Sequence, residues 1–119
     1  MTSQAEVQSW IENYVLAWTS GKPGDIEALS TADAEYHERP YETDWIGRDE
    51  IVEGWLSRQD WQEGGWAFTS SILMITGDTA AVRGTGIYDR LGTFENLWVV
   101  TFDDDGACTE FRMWNNEIV

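Results

Sequence analysis

His37, the single histidine of the chain, stands in the run Ala34-Glu35-Tyr36-His37-Glu38-Arg39-Pro40-Tyr41. These residue types support proton-transfer chemistry. A carboxylate such as Glu38 serves as a general base on a carbon acid or a water once apolar neighbours raise its basicity, and an imidazole does the same near neutral pH. The run is too polar for a plain core strand, and Pro40 biases Arg39 away from helix and ends regular pairing. In an extended segment only alternate side chains share a face. The inward set is therefore either Tyr36 with Glu38 or His37 with Arg39, unless a bulge before Pro40 breaks the alternation. The competing structural reading is that Tyr36 alone faces the core while Glu35, His37 and Arg39 form a solvated face.

The flanking elements must position this run. Ser3-Gln4-Ala5-Glu6 has the form of a capping box, and behind it Val7, Trp10, Ile11, Tyr14, Val15 and Trp18 recur at helical spacing. Tyr14 is the polar member of that stripe, and a buried phenol needs a hydrogen-bond partner. Gly21 and Pro23 stop the helix, and Asp25 is placed to cap a short second helix carrying Ile26 and Leu29. After Gly47 a third helix presents Ile51, Val52, Trp55 and Leu56 and ends near Gln59, before Gly64-Gly65. The period then changes to two. Residues 66–76, 79–89, 94–103 and 107–118 read as strands separated by Gly77-Asp78, by Leu91-Gly92 and by Asp103-Asp104-Asp105-Gly106. Helices followed by hairpin-linked strands predict one α+β domain over residues 1–119, with three N-terminal helices packed in the concave face of a curved, mainly antiparallel sheet.

A helical hairpin on such a sheet leaves a cavity at the wide end of the cone. Phe94, Asn96, Trp98, Val100 and Phe102 share one strand face, on which Asn96 is the polar exception: either a structural hydrogen-bonder or a pocket group. In the last strand either face is readable as core, and Glu110 with Arg112 forms an exposed ion pair.

The charge balance restricts partners. With 22 acidic against 7 basic residues and a formal charge of −15, the chain repels phosphate backbones and anionic membrane surfaces, so neither nucleic acid nor membrane is an expected partner. Cys108 lacks a partner for a disulfide or the paired spacing of a metal site and reads as a small apolar strand residue. No export segment or long apolar run is recognised, which makes the cytoplasm the expected compartment. The acidic triplet before Gly106 lacks the alternating ligands and closing glutamate of a calcium loop and reads as a tight turn. One histidine without a clustered partner is weak support for a metal, and neither a phosphate loop nor a G-x-S-x-G elbow occurs. No metal or cofactor is expected.

The order of elements, together with Tyr14-Val15-Leu16-Ala17-Trp18, Asp25-Ile26-Glu27-Ala28-Leu29, Asp33-Ala34-Glu35-Tyr36, Gly47-Arg48-Asp49-Glu50-Ile51 and Asn96-Leu97-Trp98-Val99-Val100, resembles the nuclear transport factor 2-like superfamily in its SnoaL-like branch. The resemblance covers essentially the whole chain. It implies an α+β cone, a hydrophobic pocket at the open end and a homodimer through the outer sheet face. Tyr14 falls where the ketosteroid isomerase branch keeps an oxyanion-binding tyrosine, and Glu38 falls at or beside its carboxylate base. Trp98 stands where that branch has a protonated carboxylic acid. The expected function is a cofactor-independent isomerase, cyclase or hydrolase acting on a small apolar carbonyl or polyketide-like molecule. Glu38 or His37 would be the base and Tyr14 the electrophilic helper, with Trp18, Tyr36, Arg39, Trp55, Asn96 and Trp98 around the ligand. The alternative is a non-catalytic ligand-binding or dimerisation module of the same fold.

Overall fold

The chain begins with α1 (Gln4–Ser20), whose N-terminus carries the predicted capping box: the Glu6 amide donates to Ser3 Oγ and the Ser3 amide donates to the Glu6 carboxylate. The computed structural model describes residues 2–39 and 42–118. Pro40 and Tyr41 therefore lie outside the described residues, and with them the predicted end of pairing at Pro40. Gly21 adopts the left-handed conformation (φ 64°) that a helix C-terminus favours, and its amide donates to the Ala17 carbonyl.

The second helix, α2 (Pro23–Glu27), departs from the predicted cap. Pro23 occupies the first turn with Lys22 as the preceding cap residue, and Asp25, inside the helix, instead accepts from the Ser20 hydroxyl at 2.8 Å. Proline's fixed φ starts the helix three residues earlier than an aspartate cap at Asp25 would. The third helix, α3 (Arg48–Leu56), ends short of Gln59, which belongs to a separate 3-10 turn over Gln59–Gln62.

The six strands are β1 (Ser30–Glu38), β2 (Thr43–Ile46), β3 (Trp66–Thr76), β4 (Thr79–Tyr88), β5 (Gly92–Phe102) and β6 (Cys108–Ile118). They form one sheet in the order β2-β1-β6-β5-β4-β3. The predicted four-strand meander is β3 to β6, and the sheet is mainly antiparallel: only β1 against β6 runs parallel. Two features are not in the sequence reading. β2 pairs with β1 as a short edge strand, and β1 begins at Ser30, where the Cys108 amide donates to the Leu29 carbonyl at 2.8 Å. The β1–β6 ladder shifts register between Ser30 and Glu35, so the irregularity lies at the start of the strand.

Strand alternation then sets the concave face. Tyr36 and Glu38 on β1, Asn96, Trp98 and Val100 on β5, and Phe111 and Met113 on β6 are all buried against the helices. This resolves the last strand: Phe111 and Met113 point inward, while Arg112 and Glu110 form a partly exposed pair at 2.7 Å on the other side. Trp10 of α1 lies across this face, edge-on to Trp98 and Phe102, and its indole N–H donates to the Leu29 carbonyl at 3.0 Å. Burying an aromatic side chain of this kind contributes on the order of 4–6 kcal/mol by area, an upper bound against an extended chain. The core thus sits under the first half of α1. Its second half still buries Ala17 and Trp18, and the Trp18 side forms one wall of a cavity.

Candidate active site

Between the second half of α1, the segment after α3 and the concave face of the sheet lies a cavity of about 360 Å³. A cavity of roughly 150 Å³ holds one benzene, so this one accommodates a molecule of about two fused rings. Its wall is mostly aromatic.

Glu38 is the buried carboxylate of this cavity, 4% exposed. Alternation along β1 puts it on the inner face with Tyr36, whose hydroxyl donates to Glu38 Oε1 at 2.8 Å. The same oxygen accepts from Arg58 Nη1 at 2.6 Å. Oε2 has no partner among the described residues. Arg58 is held in turn: its guanidinium lies between the rings of Trp45 and Trp61, 4.6 and 4.5 Å from their centroids, and Nη2 donates to Thr43 Oγ1 at 3.3 Å. A desolvated guanidinium between two indoles gains cation–π attraction on both faces, which fixes Arg58 Nη1 against Oε1 beside the Tyr36 hydroxyl.

Tyr14 lines the same cavity, packed against Trp98 and Trp55 with ring centroids at 4.4 and 4.9 Å. Burial holds its phenol well above the ordinary value of 10.0, helped by the neighbouring Tyr88 and the negative charge of Glu38. Tyr14 therefore stays a neutral donor across the physiological range, and no acceptor for its hydroxyl occurs among the described residues. The phenol of Tyr36 is raised in the same direction, first by burial and then by Glu38. Two neutral phenols and one carboxylate whose second oxygen has no partner among the described residues can move a proton and meet the charge that develops opposite it.

Of the residues singled out in the sequence, Tyr14, Trp18, Tyr36, Glu38, Arg39, Trp55, Asn96 and Trp98 all line this cavity. His37 does not. It lies on the opposite face of β1, half-buried, with its ring nitrogens against Asp44 and Glu35. Strand alternation separates it from Glu38, so the structure joins the Tyr36 and Glu38 set and leaves the imidazole outside. Arg39 is exposed at the rim and takes a left-handed φ of 54°, with its amide donating to the Met113 carbonyl at 2.9 Å, where an extended conformation before Pro40 is the sequence expectation. That turn lets an outward-numbered residue reach the cavity edge.

The sequence reading missed Arg58, Trp61, Phe68, Tyr88 and Asn115, all on the cavity wall. Arg58 carries a signal in hindsight: it is one of only 7 basic residues, set between Trp55 and Trp61. Phe68 depends on Gly84, because a Cβ there would fall inside the Phe68 ring. The glycine lets Phe68 lie flat over β4 and stack on Trp98 at 5.2 Å. The Trp18 indole N–H donates to the Tyr88 hydroxyl at 3.2 Å, which ties α1 to β4 at the cavity edge.

A second depression of about 450 Å³ lies outside, between α1, α2 and the β5–β6 turn. Its polar groups, Glu6, Ser9 and Asn13 among them, are solvent-exposed side chains. Among the described residues no group of three or more His, Cys, Asp or Glu side chains is arranged to hold a metal, and no helix is long and apolar enough to cross a membrane.

Comparison with known proteins places this geometry in a family. A protein of unknown function with a cystatin-like fold from Methylobium petroleophilum PM1 superposes with a TM-score of 0.78 at 16% identity, over 98% of this chain and 80% of that one. A ketosteroid isomerase-like protein from Erwinia carotovora atroseptica SCRI1043 gives 0.66 at 18% identity, over 93% and 94%. An NTF-2 like protein of unknown function from Burkholderia xenovorans LB400 gives 0.71 at 10%, over 98% and 87%. At these identities the likeness is one of fold. A search of the curated proteins finds no match. The sequence profile of the SnoaL-like domain matches residues 11–114, from the buried face of α1 to the last cavity strand, and the chain belongs to that family.

Proposed function

We propose that this SnoaL-like protein binds a small apolar carbonyl compound in the 360 Å³ cavity and catalyses cofactor-independent proton transfer on it. The observation that carries the reading is the division of labour on Glu38: Oε1 is occupied by Tyr36 and Arg58, while Oε2 has no partner among the described residues. Oε2 is the base. It takes a proton from the carbon next to the carbonyl; the C–H electron pair moves into the C–C bond, and the carbonyl oxygen gains the negative charge. Tyr14 donates to that oxygen and, kept protonated by its burial, does not compete for the proton. Where the compound carries a carbon–carbon double bond β,γ to the carbonyl, the enolate is a dienolate, and return of the proton from Glu38 to its γ-carbon completes an isomerisation to the conjugated carbonyl compound. The aromatic wall excludes water and stacks on the ligand.

The test is hydrogen–deuterium exchange at the α-carbons of β-tetralone in D2O, followed by NMR for the wild type, Glu38→Gln and Tyr14→Phe. Exchange accelerated by the wild type, lost by about 10²–10⁴-fold in Glu38→Gln and by about 10²-fold in Tyr14→Phe, is the expected result. Exchange that is equal in all three proteins and in buffer would overturn it.

One observation favours a second reading. Arg58 already neutralises Glu38 at 2.6 Å, as it would in a purely structural pair. The protein would then be a binding module: β-tetralone binds, Glu38→Gln binds it equally, and no exchange occurs. We also infer a homodimer through the outer sheet face, supported by the exposed Ile87 and Leu97 on neighbouring strands there; light scattering at micromolar concentration reads the mass.

A further inference from the structure

Asn96 is 9% exposed, lies on the cavity wall, and makes no side-chain hydrogen bond with any described residue. Among the described residues the fully buried side-chain polar atoms without a partner are Gln59 Nε2 and Trp98 Nε1, not those of Asn96, whose carboxamide opens onto the cavity and takes its partner from what enters it. Its register partner across the β5–β6 ladder is Asn115, which lines the same cavity and is also unpartnered among the described residues. These two amides form a row on the concave face. The next row, two residues along each strand, holds Trp98 and Met113, and Met113 pairs with Glu38 on β1. Two residues of strand are roughly 7 Å, about the span of one six-membered ring and its substituent.

We infer that Asn96, with Asn115 beside it, is the specificity-determining subsite of this cavity, and that it selects a flat ring bearing an adjacent hydrogen-bond donor and acceptor, as in a lactam or cyclic imide. The inference rests on the ligand cavity proposed above and names its substrate class. A primary carboxamide presents a carbonyl and an N–H side by side, and the edge that satisfies both at once is a cis-amide presenting the same pair in reverse. Asparagine reads the adenine edge by this geometry. The remaining ring lies over the concave face toward Glu38, which lines the same cavity. Gly84, opposite Asn96 on β4, is covered by the Phe68 ring, so that side of the row is a flat aromatic wall.

Three ligands of one shape separate the terms: dihydrocarbostyril, which has the ring N–H and C=O; β-tetralone, in which a CH2 replaces the N–H; and tetralin, which has neither. Calorimetric titration of the wild type is expected to give dihydrocarbostyril about tenfold tighter than β-tetralone, from one further buried hydrogen bond. Asn96→Leu removes that preference and leaves tetralin bound as before or more tightly. Because the Asn96 amide makes no hydrogen bond with any described residue, the leucine variant is expected to melt at or above the wild-type temperature. Should it fail to fold, Asn96→Asp, which keeps the shape and loses the donor to the ligand carbonyl, is expected to lose the same preference. Equal binding of the lactam and the ketone by the wild type, or a preference that survives at position 96, overturns the inference while the cavity reading stands. If none of the three binds, both fall.

Discussion

Arg58 and Glu38 offer a sharp test of whether the cavity end of the sheet is interior or solvent. Their side chains are 17% and 5% exposed, and they meet at 2.6 Å. Replacing Arg58 by methionine keeps length and contact with Trp45 and Trp61 but leaves a carboxylate with only the Tyr36 hydroxyl. Removing one member of a buried pair costs about 3–5 kcal/mol, and because the cavity admits water to Oε2 we expect the lower end, about 3 kcal/mol. Glu38→Gln costs less, about 1.5 kcal/mol, since the glutamine carbonyl still accepts from Tyr36 and Arg58 and only the charge-assisted part is lost. The double variant leaves no charge unpaired. Its cost is expected near that of Arg58→Met alone, which makes the coupling about 1.5 kcal/mol. Urea denaturation followed by far-UV circular dichroism measures all four proteins. With a slope near ~2 kcal/mol per molar, Arg58→Met moves the midpoint down by about 1.5 M. A shift below about 0.5 M, with the two single changes adding to within about 0.5 kcal/mol, would refute the view of a desolvated pair and return Glu38 to a solvated surface.

Other predictions concern separate parts of the molecule. The pKa of His37 is raised from 6.5, mainly by its hydrogen bond to Asp44 and also by Glu35, with partial burial and then Arg112 opposing. Its contribution is therefore fully present below about pH 6.5 and fades as pH rises through the higher folded value, so His37→Gln is expected to destabilise more at pH 5.5 than at pH 8.5, by less than about 1 kcal/mol, read from urea midpoints. A pH-independent difference contradicts that assignment. Gly84→Ala drives a Cβ into the Phe68 ring and is expected to cost about 1–3 kcal/mol and to change the near-UV spectrum as Phe68 leaves Trp98. The Cys108 thiol, buried and pushed up to about 12, is expected to react with Ellman's reagent only on unfolding; stoichiometric reaction of the native protein would contradict its burial.

The parts of this molecule legible in its sequence are those set by local periodicity. Ser3 and Glu6 announce α1, and the two-residue alternation of β5 puts Asn96 on the same face as Trp98 because strand geometry admits no other arrangement. For the same reason the sequence reduces the run at residues 34–41 to two sets but cannot choose: the choice depends on pairing with β6, which lies more than sixty residues away in the chain (Glu38 with Met113). β2 escapes notice because Thr43–Ile46 is too short to show a period and gains its conformation from β1. Arg58 belongs to no periodic element at all. Its place follows from two indoles and a carboxylate that the fold assembles around it.

The parallel pairing of β1 with β6 has a consequence for how the chain acquires its shape. β1 is made early but has β2 alone as a neighbour until β6 exists, since its other edge is completed by residues 108–113. Until then the inner edge of β1, with Tyr36 and Glu38, is an open strand edge, and the meander β3 to β5 has no connection to it within the sheet. Closing so long a loop precedes any reward from the contacts it permits, which makes the step slow and late. The cavity, with Tyr14 on α1 and Asn115 on β6, therefore comes into being only in the last cooperative step of folding, and no fragment that lacks either α1 or β6 contains its full wall.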